Sequence, residues 1–245
     1  MPESLSPSAL MIDASTAPTE SLLARIEADV APAKIAAWGG YLGGWRSPAM
    51  ALTRTSVDFL HSGGIAVLPI YNNAWRHLVV GGGVAAAQEA MGAMADLGAP
   101  AGTAFALDFE AEWLTERGVN LAHWWRDFRL SVPSQRYAVW TYSTVEGFDR
   151  LGVTGDVWVA AWNAPAAPNV GLVRRLVAWQ YKGAAFNDTA DLDRIRQSEL
   201  RNGSGLWMPP PANPVPAPAA DPRLALTWLQ RAEHAVSQAR VALGG

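Results

Sequence analysis

The stretch GTAFALDFEAEW, residues 102–113, decides the fold that we predict, because it reads as a buried strand that ends in two carboxylates. Alternate residues of a strand face the same side. One side therefore carries small residues followed by two acids: Ala104, Ala106, Asp108 and Glu110. The other side carries bulky apolar residues that require an apolar partner layer: Phe105, Leu107 and Phe109. Two acids that face the same space push their proton affinities apart, which is useful in catalysis.

Seven further short runs have strand character, and segments with helical spacing separate several of them. The predicted strands are 9–15, 34–42, 64–71, 103–110, 136–142, 156–162, 175–181 and, more weakly, 189–195. The predicted helices are 19–30, 52–63, 84–98 and 120–131. Strands that alternate with helices form parallel sheets, and eight such units predict a closed (β/α)8 TIM-type barrel. The later connections are short, so some late helices should be reduced or missing.

Polar and aromatic residues end most of the predicted strands, where TIM-type barrels place their chemistry. These residues are Asp13, Tyr41, Tyr71, Asn72, Asn73, Asp108, Glu110, Tyr142, Trp162, Asn163, Gln180, Tyr181, Asp191 and Asp193. Carboxylates and amides bind sugar hydroxyls, and aromatic rings pack on the apolar faces of sugars. The pattern therefore indicates a carbohydrate site.

Composition narrows the choice of partners. The 245-residue chain has a net charge of −3 and no basic cluster, which argues against nucleic acid and anionic membranes as partners. It has no cysteine, which excludes thiolate metal sites, and its four histidines form no H-x-x-x-H pair, which disfavours a zinc hydrolase. A glycan-binding or glycan-cleaving site needs neither a metal nor an organic cofactor, and we expect none. No apolar run reaches the roughly 20 residues that span a bilayer. We also expect no signal peptide, because the N-terminus lacks a basic start and an apolar core.

The C-terminal region differs in composition from residues 1–205, which we assign to the barrel. Residues 206–222 contain many prolines and are predicted to be an extended linker. Residues 223–245 are predicted to contain one helix with a coiled-coil seam: Ala225, Leu229, Ala232, Val236, Ala239 and Leu243. So short a seam requires a partner, and we expect a homo-oligomer or larger assembly through residues 223–243. The alternative is that Trp228 and Leu229 dock on the barrel wall.

Several of these signals also have plain structural interpretations. Asp108 and Glu110 could mark the point where a strand reaches solvent, and Asp13 could be an Asx-turn residue. Trp162 could belong to the core, and Gln180 could satisfy loop backbone.

The sequence contains a spacing similar to the glycine fingerprint of dinucleotide-binding folds, formed by Gly81, Gly83 and Ala86. No well-formed strand precedes them, and no suitable acid follows about 20 residues on, so we do not favour that function.

The motifs MIDAS, GIAVLPIYNN, FALDFEAE, AWQYKG and DTADLD occur in this order within about residues 8–200. This order resembles the glycoside-hydrolase-like domain of actinobacteria and their phages, which is similar to the family 25 lysozymes (N-acetylmuramidases). The position of Ala106 differs from the family 18 chitinases, which carry an aspartate there, so the resemblance does not extend to a chitinase.

The resemblance implies a lysozyme-like hydrolase of cell-wall glycan, most simply peptidoglycan. Glu110 would be the general acid, with Asp108 and Asp13 in the same cleft. The residues expected to bind substrate are Asp191, Tyr71, Asn72, Trp162, Gln180 and Tyr181. The alternative is a non-catalytic glycan-binding or structural module, for example a minor tail protein of a phage. A chain made in the cytoplasm would then reach the cell wall on a virion.

Overall fold

Eight strands close into a barrel in the computed structural model, which describes residues 8–43, 51–110, 118–161, 167–184, 190–201 and 205–210. The strands are β1 (Ser8–Ala14), β2 (Ile35–Tyr41), β3 (Ala66–Tyr71), β4 (Ala104–Asp108), β5 (Ala138–Ser143), β6 (Gly155–Ala160), β7 (Arg174–Ala184) and β8 (Ala190–Arg196). Each strand pairs with the next in the chain, and β8 closes the barrel on β1. The predicted TIM-type barrel is therefore confirmed.

Among the described residues, five α-helices connect strands in the first two thirds of the chain. They are α1 (Glu20–Val30), α2 (Arg54–Ser62), α3 (Gly82–Asp96), α4 (Leu121–Ser131) and α5 (Val145–Leu151). In four of them the residue before the first turn accepts a hydrogen bond from a backbone N–H, which fixes where the helix begins. These capping residues are Thr19, Thr53, Asn120 and Thr144. The described residues between β6 and β8 contain no α-helix, in line with the expected reduction of late helices.

The eighth strand departs from a uniform parallel barrel. The pairs from β1 to β7 are parallel, whereas β8 runs antiparallel to both β1 and β7. Only five residues separate Ala184 from Ala190, and a parallel crossover needs a dozen or more. Because of this reversal, the beginning of β8 lies beside the carboxyl ends of the other strands.

The barrel wall separates two apolar clusters. The inner cluster fills the barrel and combines five buried alanines with larger side chains, among them Met11, Leu68, Trp140 and Trp158. The outer cluster lies between the strands and the helices and contains Phe105, Leu107 and Phe109 of β4. The two rows predicted for β4 therefore face opposite sides of the wall, and the row with Asp108 faces the interior.

The segment after β8 closes the end of the barrel that carries the amino ends of the parallel strands. Strands β3 and β4 pair only near their carboxyl ends, through Ile70 and Tyr71. Below that point, Trp207 forms an antiparallel bridge with Val67, and the Gly205 carbonyl accepts a hydrogen bond from the Ala104 N–H at 2.5 Å. Leu206 is buried in the inner cluster. The chain thus inserts between β3 and β4.

This insertion moves the predicted domain boundary. We assigned residues from 206 onward to the linker, yet Leu206 and Trp207 are buried in the barrel, and the first compact unit extends from Met1 to Pro209. The second unit is Pro210–Gly245. The predicted helix and most of the predicted linker lie outside the described residues, so the assembly role of residues 223–243 stays a prediction. None of the helices within the described ranges could cross a membrane.

The glycine run at the start of α3 has a packing role. A Cβ at Gly82 or Gly83 would collide with the backbone: that of Gly82 would lie 1.9 Å from the His77 carbonyl oxygen, and that of Gly83 2.2 Å from the Trp124 carbonyl oxygen in α4. The element before α3 is a short 3-10 turn, Asn73–His77, rather than a strand. The glycines thus permit close contact between α3 and its neighbours.

Candidate active site

Acidic side chains from three strands converge at the carboxyl end of the barrel interior. Asp13 of β1 and Asp108 of β4 are 4% and 5% exposed, and Asp193 of β8 is fully buried. Asp191, at the beginning of β8, pairs with Asp13 in the antiparallel register. Glu110 follows β4, is partly exposed, and its charge acts on Asp13. We call these five residues the carboxylate cluster.

The Gln180 side chain connects three members of this region. Its Nε2 donates to Asp13 Oδ2 at 3.1 Å and to Asp191 Oδ2 at 3.0 Å. Its Oε1 accepts a hydrogen bond from the Tyr142 hydroxyl at 2.9 Å. Because one planar amide makes all three bonds, the two carboxylates are held in a fixed relation to Tyr142.

A glycine on β2 provides room for Asp13. Gly39 pairs with Asp13, and a Cβ at Gly39 would lie 3.0 Å from the Asp13 Cβ and 2.9 Å from Ile70 Cδ1. Both contacts are closer than nearly all real Cβ contacts. A side chain at position 39 would therefore displace Asp13 or Ile70.

Burial and neighbouring negative charge favour the protonated forms of two acids. Burial raises the pKa of Asp13 well above its usual value, and the Asp191 charge raises it further, whereas the hydrogen bond from Gln180 opposes the rise. Burial also raises the pKa of Asp193 well above its usual value, followed by the effect of Asp13. The charges that act most strongly on Asp13 and Asp193 are those of other carboxylates. Both groups therefore hold their protons to a higher pH than a free aspartic acid does.

Two tyrosines share this space, and sequence analysis placed them at strand ends without assigning them a role. Burial raises the pKa of Tyr142 far above its usual value, and the Asp108 and Asp13 charges add to the rise. Burial likewise raises the pKa of Tyr41, with Asp13, Asp108 and Glu110 contributing. Both hydroxyls therefore remain neutral and can donate hydrogen bonds beside the acids.

Five of the predicted site residues come together at this end of the barrel: Asp13, Asp108, Glu110, Gln180 and Asp191. Asn72 directly follows β3 and is 6% exposed, and its Oδ1 has no hydrogen-bond partner among the described residues. Trp162 lies outside the described residues. Asp193 was seen at a strand end but received no role; its position two residues after Asp191, on the same face of β8, was the available signal.

The structure places two predicted sugar-binding residues elsewhere, because strand alternation turns them outward. Tyr71 belongs to the outer cluster, where its ring stacks on Phe128 of α4 with 6.2 Å between centroids. Tyr181 follows the inward Gln180, packs against the outer cluster and lies under the Arg194 guanidinium, 5.3 Å from its ring centroid. Neither tyrosine joins the carboxylate cluster.

The convergence of acids at this end of the barrel does not form a metal-ligand arrangement within the described residues. Among the described ranges, no group of three or more His, Cys, Asp or Glu side chains is arranged to hold a metal ion.

The family model of the Rv2525c-like, glycoside hydrolase-like domain matches residues 28–206. The chain belongs to this family. The match includes four members of the carboxylate cluster and the inserted segment at Leu206, and Asp13 precedes it. No curated protein matches the chain in sequence.

Solved structures with the same fold include the catalytic domain of an endolysin and a muramidase. A 1.07 Å structure of an uncharacterised B. stearothermophilus protein has a TM-score of 0.66 at 21% identity and covers 81% of this chain and 100% of its own. The catalytic domain of endolysin ply40 from bacteriophage P40 of Listeria monocytogenes has a TM-score of 0.55 at 15% identity, covering 81% and 98%. A muramidase from Acremonium alcalophilum has a TM-score of 0.54 at 14% identity, covering 81% and 98%. These similarities show the fold.

Proposed function

We propose that the barrel hydrolyses glycosidic bonds of bacterial peptidoglycan and that Glu110 is the general acid. The observation that carries the proposal is the convergence of five acids, one amide and two neutral tyrosines at the carboxyl end of the barrel interior. Glycoside hydrolysis requires one carboxyl that donates a proton to the leaving oxygen and a second that stabilises positive charge on the sugar.

The assignment of Glu110 follows from position. Asp13 and Asp193 are buried, and burial favours their protonated forms, whereas Glu110 is partly exposed just beyond β4. A general acid must reach the glycosidic oxygen of a large polymer, and Glu110 is the more accessible of the two carboxyl groups that β4 presents at this end of the barrel. Asp108, two residues earlier on the same row, would stabilise the developing charge on the sugar or orient its acetamido group.

The remaining groups would bind and orient. Asp13 and Asp191 share the Gln180 amide, so they would act as one hydrogen-bonded unit that positions Asp108 and Glu110. The buried Asn72 side chain would bind a sugar hydroxyl or acetamido group near β3. Trp162 would supply an apolar sugar-binding face.

Peptidoglycan is supported as the substrate by the fold shared with a phage endolysin catalytic domain and a muramidase. The net charge of −3 and the carboxylate cluster disfavour polyanionic ligands and leave neutral glycans as suitable partners. The proposal implies that the protein acts at the bacterial cell wall.

The test is the release of reducing ends from purified peptidoglycan by the full-length chain and by Glu110→Gln. Loss of a general acid should lower turnover by ~10²-fold or more, while binding to the insoluble glycan is retained. Glu27→Gln is the matched control, because Glu27 is exposed on α1 and the chemical change is identical. This control should retain wild-type turnover.

Two results would contradict the proposal in different ways. If Glu110→Gln released reducing ends at the wild-type rate, Glu110 would not be the acid. If the wild type bound peptidoglycan without releasing reducing ends, the chain would instead be a non-catalytic glycan-binding module.

A further inference from the structure

Asp193 is the most deeply buried acid of the carboxylate cluster, and the proposed reaction does not use it. Its side chain is fully buried inside the barrel, where β8 pairs with Met11 of β1 and Gln180 of β7. It therefore cannot touch a substrate. A carboxyl group at such a position must be explained by what it does for its neighbours.

The contacts of Asp193 lead to the site in three steps. Its Oδ1 accepts a hydrogen bond from Trp158 Nε1 at 2.9 Å. The Trp158 ring packs edge-on against Tyr142, with 4.7 Å between centroids and 61° between planes. The Tyr142 hydroxyl donates to Gln180, which donates to Asp13 and Asp191. Asp193 thus fixes the Trp158 indole, and Tyr142, which packs against that indole, holds the Gln180 amide.

The surroundings of Asp193 determine its charge state. The titratable groups beside it inside the barrel are Asp13 on β1, Asp191 on β8 and Tyr142 on β5, and its charge also acts on the outward-facing Tyr181 of β7. Ionisation would place a charge beside other carboxylates in an apolar interior. Burial and then the Asp13 charge raise the pKa of Asp193 more strongly than the hydrogen bonds from Trp158 and the Asp13 backbone lower it, and Oδ2 has no hydrogen-bond partner among the described residues.

We infer that Asp193 is a positioning residue that works as a neutral carboxylic acid, orienting Trp158 and, through it, Tyr142 and Gln180. A neutral carboxyl accepts the indole N–H without adding a further negative charge to the site. The effect of Asp193 on turnover rests on the proposed function, whereas its effect on Trp158 and Gln180 does not.

Two neutral substitutions separate the charge of Asp193 from its hydrogen bond to Trp158. Asp193→Asn is permanently neutral, has nearly the same shape and still accepts the Trp158 N–H. Asp193→Leu has a similar volume but leaves the indole N–H without an acceptor. We expect turnover on peptidoglycan to stay within about threefold of wild type in Asp193→Asn and to fall by about tenfold or more in Asp193→Leu.

The second readout is the NMR spectrum of the full chain, which needs no activity. The Trp158 indole N–H resonance, assigned with Trp158→Phe, should show no titration centred below pH 7 in the wild type. The Gln180 side-chain amide resonances should be preserved in Asp193→Asn and shifted in Asp193→Leu.

Each contrary result overturns a stated part of the inference. A Trp158 titration below pH 7 that disappears in Asp193→Asn would show that Asp193 ionises. A loss of turnover by about 10²-fold in a folded Asp193→Asn would show that its charge is required. Gln180 resonances that stay unchanged in Asp193→Leu would remove the positioning role. If the wild type proves inactive, the proposed function fails, and the NMR results still decide the inference; if Asp193→Leu does not fold, the wild type and Asp193→Asn decide the charge state.

Discussion

Glu199 and Asp193 are both almost completely buried acids, yet they lie toward opposite ends of the barrel and are neutralised in different ways. Glu199 follows β8 near the amino ends of the parallel strands, and its Oε1 accepts a hydrogen bond from Arg175 Nη1 at 2.5 Å. Asp156 binds the same guanidinium through two further bonds of 2.7 and 2.8 Å. Asp193 lies nearer the carboxyl ends, and burial together with the neighbouring Asp13 and Asp191 charges raises its pKa well above the usual value.

The difference separates the part of the barrel that stabilises the fold from the part that serves chemistry. At the amino end, charges are paired, and the inserted Gly205–Trp207 segment completes the wall. At the carboxyl end, several carboxyl groups lie close together, and this arrangement costs folding free energy. Such a cost is typical of a site where the carboxyl protons take part in a reaction. Substitutions at the two ends should therefore affect stability in opposite directions.

The largest effect is expected from removing the segment inserted at the amino end. A chain that ends at Gly205 loses the buried Leu206 and Trp207, whereas a chain that ends at Pro210 keeps both. Truncation of a buried Leu costs about 2–5 kcal/mol and of a buried Trp about 3–5 kcal/mol, so we expect a loss of at least about 4 kcal/mol. Urea denaturation of the two chains measures this difference; equal unfolding free energies would mean that the segment does not support the barrel.

A smaller loss is expected from Arg175→Met, which leaves Glu199 buried without its cation. Breaking a buried pair typically costs about 3–5 kcal/mol, but the Arg175 side chain is 49% exposed, so we expect about 1–2 kcal/mol. Arg126→Met is the control, because its ion pair with Asp127 is exposed and should contribute less than about 0.5 kcal/mol. Denaturant midpoints compare the two variants. Similar losses in both would show that pairing at the amino end is not stabilising.

Sequence periodicity predicted the barrel and the inward position of Asp108, because both depend on local alternation. The same alternation predicts that Tyr71 and Tyr181 face outward. Their predicted sugar-binding role depended on residue type alone and not on the face of the strand to which each side chain belongs. The direction of β8 could not be predicted from the hydrophobic pattern, because side chains alternate with a period of two in parallel and antiparallel strands alike. The short connection before Ala190 was the signal for it.

The hydrogen bonds of Gln180 could not be predicted, because they join residues 167 and 11 positions apart along the chain. Leu206 was assigned to the linker because the prolines that follow it dominate the local composition. Its burial depends on the gap between β3 and β4, which is a property of the closed barrel.

The most direct test of the contrast between the two ends is the pH dependence of stability in the wild type and in Asp13→Asn. Burial and Asp191 raise the pKa of Asp13 in the folded chain above its unfolded value of about 3.9. At this residue the folded state therefore binds protons more tightly than the unfolded state, so the contribution of Asp13 to stability is greatest below about pH 4 and falls as the pH rises through the folded value. Asparagine is neutral at every pH, so the Asp13→Asn variant does not show this pH-dependent loss of stability at position 13.

The measurement is the unfolding free energy of both full-length chains, by chemical denaturation at intervals from pH 4 to pH 8. We predict that the value for Asp13→Asn minus that for the wild type increases steadily with pH. A difference that stays constant, or that becomes less favourable to the variant as the pH rises, would show that Asp13 is stabilised as a charged group and would contradict the account of the carboxyl end.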